Sequence, residues 1–164
     1  MPIIDEFQEA NRQYTEQLDI GNLPMPPARH VAVLTCMDAR LDPAQFLGLE
    51  EGDALVVRNA GGRASDDAIR SLVISQQLLG TTDVVVVHHT DCGMLMFGND
   101  DLRQRLREQL GVNASEVGFL PFADLEESVR DDVAALQASP FIPPDINVFG
   151  FVYDIKTGRL LPVE

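Results

Sequence analysis

The sequence predicts an α/β architecture: a mainly parallel open sheet with flanking helices, preceded by an N-terminal helical arm. Three observations carry that expectation. Short runs rich in β-branched residues alternate with segments of helical period. One run, Val84-Val85-Val86-Val87, is apolar without alternation, the pattern of a strand buried on both faces. The polar turns that follow the runs hold the only two cysteines, Cys36 and Cys92, in the region where open α/β sheets bind ligands.

Taken in order, the elements support this class. Ile3, Phe7, Tyr14 and Leu18 recur on one helical face, so an amphipathic helix is expected over Ile3–Leu18, stopping at Gly21-Asn22 and Pro24-Met25-Pro26-Pro27. Val31–Cys36 reads as the first strand, and Pro43–Leu49 as a short helix after its turn. Ala54–Arg58 is the second strand. Ser65 caps a helix whose first turn carries Asp66 and Asp67, suited to the positive end of its dipole, and Gly80 ends it. Asp83–His88 is the third strand. A helix begins at Asn99 or Asp100 and ends at Gly111, and another spans about Ala123–Gln137. Ile146–Tyr153 and Leu160–Val163, joined through Thr157-Gly158, read as a strand and its hairpin return at the sheet edge.

With 164 residues and 45% apolar content, the chain has enough material for one domain spanning 1–164. Residues 1–28 form the arm and proline-rich linker, and 29–164 the α/β core. No apolar stretch approaches the ~20 residues of a membrane span, and the N-terminal segment lacks the pattern of an export signal, so a cytoplasmic location is expected. A net charge of −14 repels phosphate backbones and anionic lipid, which argues against nucleic acid and membrane as partners. An anionic substrate or product would need a local basic group.

If the second and third strands flank the first, the crevice of the sheet opens between Cys36 and the His89–Cys92 turn. Cys36, His89 and Cys92 then supply the thiolate and imidazole donors that zinc favours, three in number, as in catalytic sites that keep one position open. Cys36 and His89 are 53 positions apart, unlike the compact knuckles of zinc fingers. His89-x-x-Cys92 lets one tight turn present both ligands, which favours His89 over His88; His88 is expected to be packed or hydrogen-bonded nearby. Taken singly, either cysteine could be an ordinary small apolar residue. A disulfide is disfavoured in a reducing compartment, and no Cys-x-x-Cys motif supports a redox pair. Asp38 and Arg40 add a carboxylate that a guanidinium can hold ionised and aim at the open metal position.

Cys36-x-Asp38-x-Arg40, Arg58-Asn59-Ala60-Gly61 and His89-x-x-Cys92-Gly93 occur in the order found in β-class carbonic anhydrases, and the chain resembles a short bacterial member of that family. The resemblance is close over Val31–Gly98 and weaker beyond. It implies a β-carbonic-anhydrase-like fold, zinc at Cys36, His89 and Cys92, and Asp38 and Arg40 as a catalytic dyad. It also implies that the Asn59, Ala60 and Gly61 backbone lines the substrate crevice. The family forms dimers or larger assemblies with the arm lying across a neighbour, so a homodimer or higher homo-oligomer is implied. Ala39 departs from the serine that many members carry before the arginine; it removes a hydroxyl but keeps the ligand and the dyad.

The activity implied is zinc-dependent, reversible hydration of carbon dioxide to bicarbonate and a proton. Two thiolates offset the charge of Zn²⁺ more than neutral imidazoles would, so activity should rise toward alkaline pH. Asp38, if released by Arg40, could close the site by moving onto zinc. Two alternatives stand beside this reading: hydrolysis of carbonyl sulfide or carbon disulfide at the same site, and a non-catalytic zinc-binding module. The dyad argues against the module, because a structural zinc site ordinarily has a fourth protein ligand.

Overall fold

A computed structural model describes residues 2–164. Five strands form one sheet in the order β2-β1-β3-β4-β5. They are β1 (Val31–Cys36), β2 (Ala54–Asn59), β3 (Asp83–His89), β4 (Asn147–Tyr153) and β5 (Leu160–Val163). The first four are parallel, and β5 returns antiparallel to β4. The helices are α1 (Ile3–Thr15), α2 (Pro43–Leu47), α3 (Asp66–Leu79), α4 (Asn99–Leu110) and α5 (Leu125–Ala138). Because β1 lies between β2 and β3, the chain leaves β1 in one direction and returns on its other side. That reversal places the crevice at the carboxyl ends of β1 and β3.

Element boundaries follow local chemistry. Ser65 accepts a hydrogen bond from the Ala68 amide, and Gly80 ends α3 in the left-handed conformation. Asp124 accepts from the Glu127 amide, so α5 starts at Leu125 rather than Ala123. Gly48, left-handed at φ 61°, stops α2 at Leu47, two residues before the expected end. The arm helix is also shorter than its apolar period suggests. It ends at Thr15, whose hydroxyl bonds back to the Arg12 carbonyl, and Leu18 lies beyond it.

The main core joins Ala32 and Leu34 of β1 and Val84 and Val86 of β3 to Ala68 and Leu72 of α3 and Leu136 of α5. The other sheet face is covered unevenly. Val33 and Val87 are buried, yet Val56 is 43% and Phe149 47% exposed. The valine run is thus buried on both faces only toward its carboxyl end, since Val85 remains partly accessible. Among the described residues no helix is long and apolar enough to cross a membrane.

The turn after β2 presses directly on the end of β1. Gly62 has φ 70°, and a Cβ there would sit 2.9 Å from the Thr35 carbonyl carbon and 3.0 Å from the Cys36 nitrogen. Backbone cannot yield as a flexible side chain would. Gly62→Ala is therefore expected to destabilise the fold by about 3 kcal/mol, through left-handed strain and this clash together. A lowered urea midpoint at unchanged slope checks it.

Candidate metal centre

Strand ends bring the expected ligands together. Cys36 closes β1, His89 closes β3, and Cys92 follows in the turn, whose Asp91 is left-handed at φ 57°. The donor atoms of Cys36, His89 and Cys92 all lie within 4.8 Å of one another, and all three residues are buried. Both cysteines are free thiols.

The histidine is oriented by its own turn. His89 Nδ1 lies 2.8 Å from the Thr90 carbonyl, which can only accept, so Nδ1 carries the proton and Nε2 is the available donor to a metal. Buried Nε2 has no hydrogen-bond partner. An orphaned imidazole nitrogen beside two buried sulfurs fits a thiophilic cation.

Electrostatics agree. The hydrogen bond with Cys92 draws the Cys36 thiol down to about 4; burial opposes this, while His89 and backbone amides assist. The same hydrogen bond, with burial, pushes Cys92 upward, because a second thiolate beside the first is unfavourable. A cation would relieve that repulsion. At His89 burial favours the neutral ring, but the neighbouring Cys36 sulfur, the Thr90 carbonyl and the nearby Asp38 charge prevail, and its pKa is raised.

Asp38 is held from the other side. Arg40 Nε and Nη2 bond its two carboxylate oxygens at 2.9 and 2.8 Å, and the Arg40 amide adds a third bond at 2.9 Å. Chiefly through the Arg40 hydrogen bond, the carboxyl is kept well below the usual carboxylate range. Asp38 Oδ2 lies 3.7 Å from His89 Nε2, facing the ligand cluster.

Two residues that sequence reading left without a role complete the frame. Arg58 bonds the Cys36 carbonyl at 3.0 Å and the Asp38 carbonyl at 2.7 Å, fixing the turn that carries both. Asp91 takes the far side of Arg40 through its carboxylate at 2.7 Å and its carbonyl at 2.9 Å. The signal for Arg58 was its place at the end of β2, one residue before Asn59, which pairs with Cys36. Asp91 offered only an acidic residue between two ligands.

A mouth of about 340 Å³ opens over the cluster, its lining including Met37, Asp38, Ala60, Gly61, Met94 and Phe97. Its walls are mostly apolar. Ala60 and Gly61 thus stand at the crevice, whereas the Asn59 side chain turns away, bonding the Arg63 carbonyl and amide at 2.8 Å each. The Asn59 side chain closes the turn that carries Ala60 and Gly61. His88 lies fully buried, hydrogen-bonded to Ser128 and Gly62.

An open α/β sheet with a thiolate–imidazole trio at its switch point and a clamped carboxylate beside it defines a class of metal site built for chemistry on small molecules. Comparison with known proteins assigns the family. A family model described as carbonic anhydrase matches residues 31–160. The chain is 42% identical to beta-carbonic anhydrase 1 of Mycobacterium tuberculosis, over 98% of this chain and 97% of that protein. The crystal structure of carbonic anhydrase from Streptococcus mutans superposes with a TM-score of 0.96 at 51% identity, covering 100% of this chain and 99% of that one. Carbon disulfide hydrolase from an Acidianus species is 35% identical over 83% of this chain and 78% of its own length. The chain belongs to the β-carbonic anhydrase family.

Proposed function

We propose that this protein is a zinc-dependent carbonic anhydrase that interconverts carbon dioxide and bicarbonate. The observation that carries the reading is the convergence of Cys36, His89 and Cys92 donors within 4.8 Å beside an ionised Asp38. Cys36 Sγ, His89 Nε2 and Cys92 Sγ would hold the metal. Bound zinc supplies a Lewis acid that acidifies water, chemistry for which carbonic anhydrases are the general example.

The chain's own groups do the rest. Asp38 Oδ2, ionised and acceptor-only, accepts a water hydrogen at the cluster and so orients that water. Arg40 keeps that carboxylate charged and aimed. Met37, Ala60, Met94 and Phe97 exclude bulk water and offer an apolar seat to a neutral linear molecule.

We also infer a homodimer or larger homo-oligomer. No residue of α1 is buried, and Ile3, Ile4 and Phe7 are each more than half exposed, so its apolar face calls for a second copy. Two free buried thiols suit a reducing, cytoplasmic compartment.

Stopped-flow hydration of carbon dioxide, with zinc quantified on the same sample, tests the function. One zinc per chain and a rate rising from neutral to alkaline pH are expected, because two thiolates weaken the acidifying effect of the ion. Carbon disulfide and carbonyl sulfide are assayed in parallel, since both are neutral, linear molecules suited to a mostly apolar mouth and the Acidianus relative carries the former in its name. A larger kcat/KM for either sulfur compound would reassign the substrate. Stoichiometric zinc with no turnover of any of the three would leave a binding module.

A further inference from the structure

One buried polar group of residues neither holds the metal nor faces the mouth. His88 Nδ1 lies 2.7 Å from Ser128 Oγ, and its Nε2 donates to the Gly62 carbonyl at 3.2 Å. Asp132 Oδ2 is 3.0 Å from His88 Nε2 and 3.0 Å from Arg63 Nε. These are close charge contacts rather than aligned hydrogen bonds. The Arg63 and Asp132 side chains are 12% and 5% exposed. Arg63 lies over the Phe122 ring, and His88 stacks on the same ring.

Serine, histidine and aspartate in contact suggest a hydrolytic triad, and burial excludes it. Ser128 is 1% exposed, and its hydroxyl oxygen also lies 2.7 Å from the Leu125 carbonyl, so no substrate reaches it. The contacts of the group point elsewhere. Through Gly62 and Arg63 it grips the turn that Asn59 closes, and that turn carries Ala60 and Gly61. Through Phe122, whose amide donates to the Met94 carbonyl at 3.2 Å, it reaches the segment carrying Met94. Both apolar walls of the mouth are therefore fastened to one buried charge cluster anchored on α5. Burying charge costs desolvation that an apolar filling would avoid, so what the cluster adds is a fixed geometry.

We infer that Asp132, acting through Arg63 and His88, is a positioning residue that fixes the two walls of the mouth and with them the seat of the substrate. The inference rests on the carbonic anhydrase reading for what that substrate is. Nothing in the sequence marks Asp132, which lies 40 positions beyond Cys92 within an amphipathic helix.

Asp132→Asn in the zinc-loaded protein tests this, because it removes the charge at nearly constant shape. Amide exchange at Arg63, followed by NMR, is expected to accelerate about tenfold while β1 and β3 stay protected. KM for carbon dioxide is expected to rise about fivefold or more, with kcat within about twofold, as a displaced seat requires. A lower unfolding midpoint with unchanged Arg63 exchange and unchanged KM would show a purely structural role and overturn the inference. Should the variant fail to fold, Ser128→Ala deletes only the hydroxyl at the far end of the cluster. The same two changes, smaller, are then expected, and wild-type values in both would overturn the inference. If wild-type zinc protein hydrates no carbon dioxide, the functional reading falls, and Arg63 exchange alone decides the positioning role.

Discussion

Cys36→Ser is expected to lose stoichiometric zinc and to slow carbon dioxide hydration by on the order of a thousandfold or more. The magnitude follows from comparison with outer partners of metal ligands, whose loss alone costs about 10–100-fold. Removing a ligand must exceed that, because serine offers a hydroxyl where a soft anion is needed. Without Cys36 one thiolate and one imidazole remain, too few donors to retain zinc against dilution. Metal analysis after gel filtration and stopped-flow hydration on the same fraction check both outcomes. Full zinc content with more than about a tenth of wild-type activity would remove Cys36 from the ligand set, since no ligand loss is that mild.

That Cys36, His89 and Cys92 share one place was legible because two kinds of information coincided. Strand alternation predicted the crevice, and donor chemistry selected residues at the strand ends. The strand order β2-β1-β3 meets the condition on which that crevice depends, the second and third strands flanking the first. Helix boundaries were readable where chemistry and period agree, as at Ser65, and less so where the apolar period runs past the true end of the helix, as at Ala123 and Leu18. What escaped is what depends on direction rather than position. Asn59 sits in the expected motif, yet its amide bonds back to Arg63, and no periodicity tells which way such a side chain turns. Arg58 and Asp91 act on main-chain carbonyls or on Arg40 across long sequence separations, and such contacts exist only once the strands are paired. The evenness of valine burial was misread for a related reason. A run of valines reports apolar character on both faces, but whether each face is covered depends on elements elsewhere, and the face carrying Val56 and Phe149 remains partly open.

Asp38→Asn is expected to lower kcat/KM by on the order of a hundredfold while zinc stays bound, because the carboxylate is the acceptor that orients the water, and lost positioning of that kind costs about 10²-fold. The amide keeps the shape but donates where the carboxylate only accepts, so a water hydrogen loses its acceptor at Oδ2. Arg40→Met should act in the same direction by another route, because it removes the guanidinium fork that aims the Asp38 carboxylate at the cluster. Arg40 is the main cause of the lowered Asp38 pKa, so its removal lets that pKa climb toward the ordinary value. The sign for stability follows. A carboxyl lowered in the folded chain contributes stability above its unfolded pKa, near 4, and that contribution is lost as pH falls through the native value. In wild type the Asp38 carboxyl carbon should therefore keep its ionised NMR shift well below pH 4, whereas in Arg40→Met its midpoint should move upward. An unchanged midpoint would mean that Arg40 does not hold the carboxylate in solution. Asp38 would then owe its charge to the ligand cluster that it faces at 3.7 Å, and the dyad would reduce to a single working residue.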